Sequence, residues 1–368
     1  MFSIINRYLS REISLTFLAT VMVLLGIVLS HRLANYLSQA ANGLLARDSI
    51  LLLVALQIVP LLGVLIPLAF LLSIMLTLGR LYRDNEMTAL AACGYGPLSV
   101  YRAILLLAVP LTLVTVGLSF FLTPIIMELQ FEAMAKARKE AEISMFTPGA
   151  FREVLQGRHI VYVSALDEHE LRNVFIQTLE PDGDISITTG DHGRSEIDEK
   201  GTRHIVLDHG YRYRGVPGQG DYEILRFEKA TMPVDTKPPQ SLQRQETLPN
   251  RQLWRSTEPS DIAELHMRFN SPISVLIIAL WAPLLARARP HEGRYGRIVA
   301  AILIYAINFN LVGLGQSWLS HGVVGTTVGL WWVHGLFLLF SLGLLLHYYS
   351  NLWNFRLFGR TTWRTRAA

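Results

Sequence analysis

The sequence predicts an α+β membrane protein with six transmembrane helices in two groups of three and an all-β, jelly-roll-like domain inserted between the groups. Two observations carry this expectation. Six stretches supply most or all of the ~20 apolar residues that a ~30 Å hydrocarbon core requires. The region between the third and fourth is polar and broken into short runs rich in β-branched and aromatic residues.

The apolar stretches run from Ile13 to Leu37, Ile50 to Leu78, Leu98 to Met127, Ile273 to Ala286, Ile298 to Leu319 and Thr326 to Tyr348. The fourth is the weakest and is extended back toward His266. None carries a charge at its middle. Pro60, Pro67, Pro110, Pro272 and Pro283 are compatible with spanning, because lipid-embedded helices tolerate breakers. The first run is too long for a cleavable signal peptide, and no small-residue cleavage site precedes the polar HRLANYLSQAANG segment, so it is expected to remain as a span. The chain therefore divides into a membrane half over 1–127, an insert over 128–268 and a second membrane half with a tail over 269–368. Within the fifth span, Asn308, Asn310 and Gln316 are costly against lipid and are expected to face a partner helix or a cavity. Trp318, Trp331 and Trp332 fit an aromatic belt.

Charge sets the orientation. With both termini cytoplasmic, thirteen arginines (7, 11, 80, 83, 102, 287, 289, 294, 297, 356, 360, 364 and 366) fall on the cytoplasmic side, against only Arg32 and Arg47 in the opposite short loops. This is a strong positive-inside bias. The other eighteen Lys and Arg lie in the insert and do not contradict it, since long domains translocate largely regardless of charge. The net charge of +4 is thus a topology signal. Nothing resembles a zinc finger or a basic helix, which argues against nucleic acid. The eleven histidines show no metal-ligand spacing, so no metal site is expected. A single cysteine, Cys93, excludes an intrachain disulfide.

In the insert, His159–Ser164, Asn173–Leu179, Asp184–Thr189, His204–Asp208, Gly210–Arg214 and Asp221–Phe227 read as strands. They are separated by turn signals such as Pro181-Asp182-Gly183, Glu199-Lys200-Gly201 and Pro217-Gly218. Strands without intervening helices indicate a sandwich or jelly roll. Met127–Ser144 reads as a charged helix leaving the third span. Asp235–Asn250 reads as an extended linker, and Ser260–His266 as a helix restart.

The segment Leu78–Tyr95, LGRLYRDNEMTALAACGY, is the most informative short stretch. Asp84 or Asn85 can cap a helix over about 84–94, Glu86 complements its positive end, Gly94 closes it and Pro97 starts the next span. One face is small and apolar: Met87, Leu90 and Ala91. On the residues alone, this is either an interfacial turn helix with solvated charges or an element that docks into a groove on another protein. No G-x-x-x-x-G-K-[ST] run occurs, so the chain lacks that means of cradling ATP phosphates.

The segment TLGRLYRDNEMTALAACG resembles the coupling helix of the lipopolysaccharide-export permeases LptF and LptG, and is more similar to the LptF branch. The resemblance extends to IINRYLSREI, HRLANYL, the β insert and ELHMRFNSPIS. It implies a non-enzymatic transport subunit of an ABC exporter in the bacterial inner membrane. The expected partners are a sister permease of the LptG type, a cytoplasmic ATPase dimer of the LptB type that binds the ATP, and periplasmic bridge proteins of the LptC and LptA type. The cargo is lipopolysaccharide, and no cofactor resides in the chain itself.

The resemblance also implies that Glu86 meets a basic residue of the ATPase, with Arg83, Asp84, Met87 and Leu90 around it, and that Arg32, beside His31, contacts the phosphorylated head of the lipid. Arginine suits phosphate through its bidentate fork; an interfacial arginine snorkelling to ordinary headgroups is the alternative. Ile160, Tyr162, Phe175, Ile176, Val206 and Phe227 are expected to point inward and line a lipid relay groove, or to fill the core of the β domain. A membrane-anchored scaffold or signalling protein with a ligand-binding β domain is the rival function. An intramembrane enzyme is disfavoured, because no catalytic pairing appears in the spans.

Overall fold

The computed structural model describes residues 4–41, 44–145, 149, 151–154, 159–167, 170–179, 184–197, 203–216, 222–234, 242–287 and 294–361. The turn signals at 181–183, 199–201 and 217–218 and the first part of the expected linker, 235–241, lie outside them; the rest of Asp235–Asn250 is not extended, since Leu242–Thr247 is helical and a second short helix begins at Asn250. Eleven α-helices and six strands are described. The helices are α1 (Ile4–Ala41), α2 (Ile50–Leu56), α3 (Ile58–Arg83), α4 (Glu86–Ala92), α5 (Pro97–Val116), α6 (Thr123–Met145), α7 (Leu242–Thr247), α8 (Asn250–Leu253), α9 (Pro259–Ala286), α10 (Arg294–Ser320) and α11 (Trp331–Thr361). A π-helical turn, Gly117–Leu122, joins α5 to α6. The chain forms two compact units: 1–29, 57–128 and 244–368 in the first; 30–56 and 129–243 in the second.

Five helical segments are long and apolar enough to cross a membrane: Ile4–Ala41, Arg47–Arg83, Pro97–Arg138, Pro259–Ala286 and Gly296–Ser320. The sixth apolar stretch, Trp331–His347, is a shorter apolar helix that opens α11.

In the first unit, α9 packs against α3, α5, α10 and α11, and it is the most buried of the five spans. Val275, Ile278, Ala279, Trp281 and Ala282 join Phe70, Leu71, Ile74, Ile104 and Val333 in one core. This central position explains why the fourth span reads weakly: its polar groups are met by neighbouring helices, and it has little lipid to face. Pro67 has no N–H to give to the Gly63 carbonyl one turn earlier. The Ser271 hydroxyl of α9 donates to that carbonyl at 2.5 Å, so the proline is tolerated because another helix satisfies the freed group.

The second unit contains a six-stranded antiparallel sheet of β1 (Arg152–Val154), β2 (His159–Asp167), β3 (Glu170–Leu179), β4 (Ile185–Ile197), β5 (Arg203–Gly215) and β6 (Glu223–Val234), in sequential order. Every pairing among the described strands joins sequence neighbours, which is a meander. The crossovers of a jelly roll are not among these pairings. A core nevertheless forms, because the long strands change face partway along. Asn173 in β3 and His209 in β5 both take left-handed φ values, 48° and 49°. In β3, strict alternation is broken: Leu171 and Val174, an odd and an even position, share one core with Val163, Ile176 and Leu207. Gly193 of β4 lies within that core, where a Cβ would meet Leu207 and Val174 at 3.0 Å. His204–Asp208 and Gly210–Arg214, two strands in the sequence reading, are thus the two arms of β5 on either side of His209.

Candidate functional site

The α4 segment forms where the sequence places it and closes as expected at its C-terminus, but its N-terminus lacks the expected side-chain cap. Asn85 precedes the helix with φ 58°, a left-handed conformation that asparagine tolerates, and makes no side-chain cap. Gly94, at φ 83°, closes the other end: its N–H donates to the Ala91 carbonyl at 3.0 Å, and that of Tyr95 to Leu90 at 2.9 Å. This pair of bonds is a Schellman motif. Pro97 then opens α5 after Gly96.

Charges around α4 are paired unequally. Arg80 of α3 binds Glu12 of α1 at 2.8 Å, and Arg83 binds the adjacent Asp84 at 2.8 Å. Glu86 is half-buried and accepts a hydrogen bond from the Tyr8 hydroxyl of α1 at 3.1 Å. Among the described residues, no cation lies within ion-pair distance of it. The apolar face is placed differently from the sequence reading. Met87 is buried in the core of its own unit, and Leu90 packs against that core, so both anchor α4 and neither presents a docking face. Thr88, Ala89, Ala91, Ala92 and Cys93 form its exposed surface. A 3.6-residue period cannot tell a face turned to the chain's own core from one turned to a partner.

His31 and Arg32 are exposed near the end of α1, within the second unit. His31 Nε2 lies 3.2 Å from the Asn35 amide nitrogen. One turn beyond Arg32, Tyr36 is buried with Ala40, Leu45, Ile50, Leu53 and Ala137, which anchors this end of α1.

The six proposed lining residues do not share a face. Tyr162 pairs with Phe175 across β2 and β3, and Phe151 lies tilted against the first and edge-on to the second, with ring centroids 4.7 and 6.0 Å apart. Ile160 lies on the same face of β2 as Tyr162, and all three are half-buried. Ile176 belongs to the sheet core on the opposite face, as it must, being next to Phe175 in one strand. Phe227 packs against that core, and Val206 is buried. Asn308 lines a small pocket with Ser274, Tyr305 and Phe337, whereas Asn310 is exposed and donates to the Ala306 carbonyl of its own helix. No group of residues able to hold a metal ion occurs among the described residues.

A densely bonded, buried polar group escapes the sequence reading. Arg268 of α9 is 4% exposed. It donates to Glu264 Oε1 at 3.0 Å, Asn250 Oδ1 at 2.5 Å, and the Glu246 and Leu248 carbonyls at 3.2 and 2.9 Å. Asn250 in turn donates to the Phe120 carbonyl of the π-helical turn at 2.6 Å. The knot ties the chain returning from the β insert to the fourth and third spans. Its sequence signal is the Glu264–Arg268 spacing of four on the helix that becomes the fourth span.

Comparison with known proteins covers nearly the whole chain. Residues 7–347 match the family described as lipopolysaccharide export system permease LptF/LptG. The lipopolysaccharide export system permease protein LptF of Escherichia coli K12 is 26% identical over 363 residues, covering 95% of each chain. The proteins of the same name from Escherichia coli O157:H7 and Shigella flexneri match equally. A family match of this extent, over both membrane halves and the insert, shows that the chain belongs to the LptF/LptG family of lipopolysaccharide export permeases.

Proposed function

We propose that this permease subunit extracts lipopolysaccharide from the inner membrane and passes it to a periplasmic bridge of the LptC and LptA type, pairing with an LptG-type sister and driven through Glu86 by an LptB-type ATPase dimer. The observation that carries the coupling role is the charge inventory of α4. Arg80, Arg83 and Asp84 already have counter-charges within the chain, whereas Glu86 has a phenol and no cation among the described residues. An acid held at a helix start without a partner charge is ready for a basic residue on another protein. ATP belongs to that protein, since this chain has no phosphate-cradling loop.

The positive-inside bias supports cytoplasmic termini, a cytoplasmic α4 and a periplasmic β insert, with α11 completing six spans from Trp331. Arg32, exposed near the far end of the first span, is suited to bind lipid phosphate through its fork. In the insert, the half-buried face of Ile160, Tyr162 and Phe175, with Phe151, is the reading of the relay surface that fits the structure. Ile176 serves the core. Reconstitution tests this: complexes carrying ATPase and sister permease in proteoliposomes should release lipopolysaccharide to the bridge protein only with ATP. Complexes that hydrolyse ATP but neither hold nor release lipopolysaccharide would refute it.

A further inference from the structure

Two hydrogen bonds tie the start of α1 to the two ends of α4. Tyr8 donates to Glu86 Oε2 at 3.1 Å at the first turn of the helix, and Tyr95, just past its last turn, donates to Asn6 Oδ1 at 2.7 Å. Tyr95 is buried and its hydroxyl also lies 3.1 Å from the Ser99 carbonyl, so this second tie is part of the packed base of the bundle. The first differs in kind. Tyr8 is 40% exposed and Glu86 half-exposed, so the bond adds little to folding. It engages the one acid of this region that lacks an intrachain cation among the described residues.

We propose that Tyr8 is a positioning residue for Glu86, which makes the first turns of α1 part of the coupling element. The assignment rests on the reading of Glu86 as the coupling acid. A free glutamate side chain samples many rotamers, and an interface must freeze them when it forms. Among the described residues nothing else on α4 freezes them: the Asn85 cap makes no side-chain bond, and the neighbouring arginines are engaged elsewhere. A phenol has two torsions and a rigid ring, and it is borne on a long helix. Its hydroxyl holds one carboxylate oxygen and leaves the other for an incoming cation. Glu12 and Arg80 surround the pair but satisfy each other at 2.8 Å, so neither competes for the carboxylate. The contact also gives the partner a direct grip on α1, because a load applied to Glu86 is shared with Tyr8.

The test is a double-mutant cycle in complexes assembled with sister permease and ATPase, using Tyr8→Phe, Glu86→Gln and both together. The readouts are lipopolysaccharide released per ATP hydrolysed and thermal stability. Tyr8→Phe removes one oxygen, and is expected to leave stability unchanged while lowering release per ATP by about tenfold, because a hydrogen bond to a charged group reaches that worth only once the docked partner excludes water from it. Placed on Glu86→Gln, it should add nothing further. A Tyr8→Phe loss that persists at full size in the Glu86→Gln background, or no loss where Glu86→Gln alone uncouples, would overturn the assignment to Tyr8 and leave the coupling acid standing. Full coupling by Glu86→Gln itself would remove the coupling reading, and this inference with it.

Discussion

The first unit contains two polar networks of opposite design. Around Arg268, a guanidinium and a carboxylate that are 4% and 13% exposed bond to each other, and two backbone carbonyls and an amide oxygen take three more of the five guanidinium donors. Around α4, the Arg80–Glu12 pair is 41% and 28% exposed, and Glu86 ends on a phenol. The closed network fixes the chain where it returns to the membrane. The open one retains a charge whose complement is not in the described chain. Density of bonding marks structure here, and the incomplete network is the one to which we assign the coupling role.

The largest effect is expected from breaking the closed network. Arg268→Ala would leave Glu264 and two carbonyls buried without their donor, at a cost on the order of 3 to 5 kcal/mol. Thermal unfolding in detergent should fall sharply or the protein should fail to accumulate. A near-wild-type melting temperature would show that the knot is not buried as described.

A smaller, pH-dependent effect attaches to Glu246. Burial, reinforced by the Glu264 carboxylate and opposed by Arg268, raises its carboxyl from 4.5 to about 7. Between those values the unfolded chain has lost a proton that the folded chain keeps, so this group's contribution to stability declines as pH rises from about 4.5 to about 7 and then levels off. Glu246→Gln should flatten that decline and be more stable than wild type above pH 7. Parallel stability curves for the two proteins would contradict the shift.

The smallest effect is expected in the open network. Arg80→Ala removes an exposed ion pair worth less than about 1 kcal/mol, so the melting temperature should hardly move. A loss comparable to that of Arg268→Ala would erase the distinction between the two networks.

The contrast was only half legible in the sequence. Capping chemistry is local, so Gly94, Pro97 and the position of Glu86 in the first turn could be read directly. The inward turn of Met87 and Leu90 depends on where α4 lies against its unit, which periodicity does not carry. In the insert, the apolar runs mark strands, but His209 looks like a break between two of them, because a left-handed residue within a strand leaves the same gap as a turn. Consecutive Phe175 and Ile176 could not have lined one groove, a consequence of strand geometry that composition alone obscures. Arg268 stayed hidden because its partners Glu246, Leu248 and Asn250 come from a segment that reads as linker.

The most direct measurement compares wild type and Glu86→Ala in reconstituted complexes, following ATPase association, ATP hydrolysis and lipopolysaccharide release together. The residue lies outside the buried core, so the spans should fold and melt as in wild type. Loss of its carboxylate should leave a partner cation unmatched, weakening the ATPase interface by on the order of 2 to 5 kcal/mol and abolishing productive release. Release at the wild-type rate from an intact Glu86→Ala complex would contradict the account.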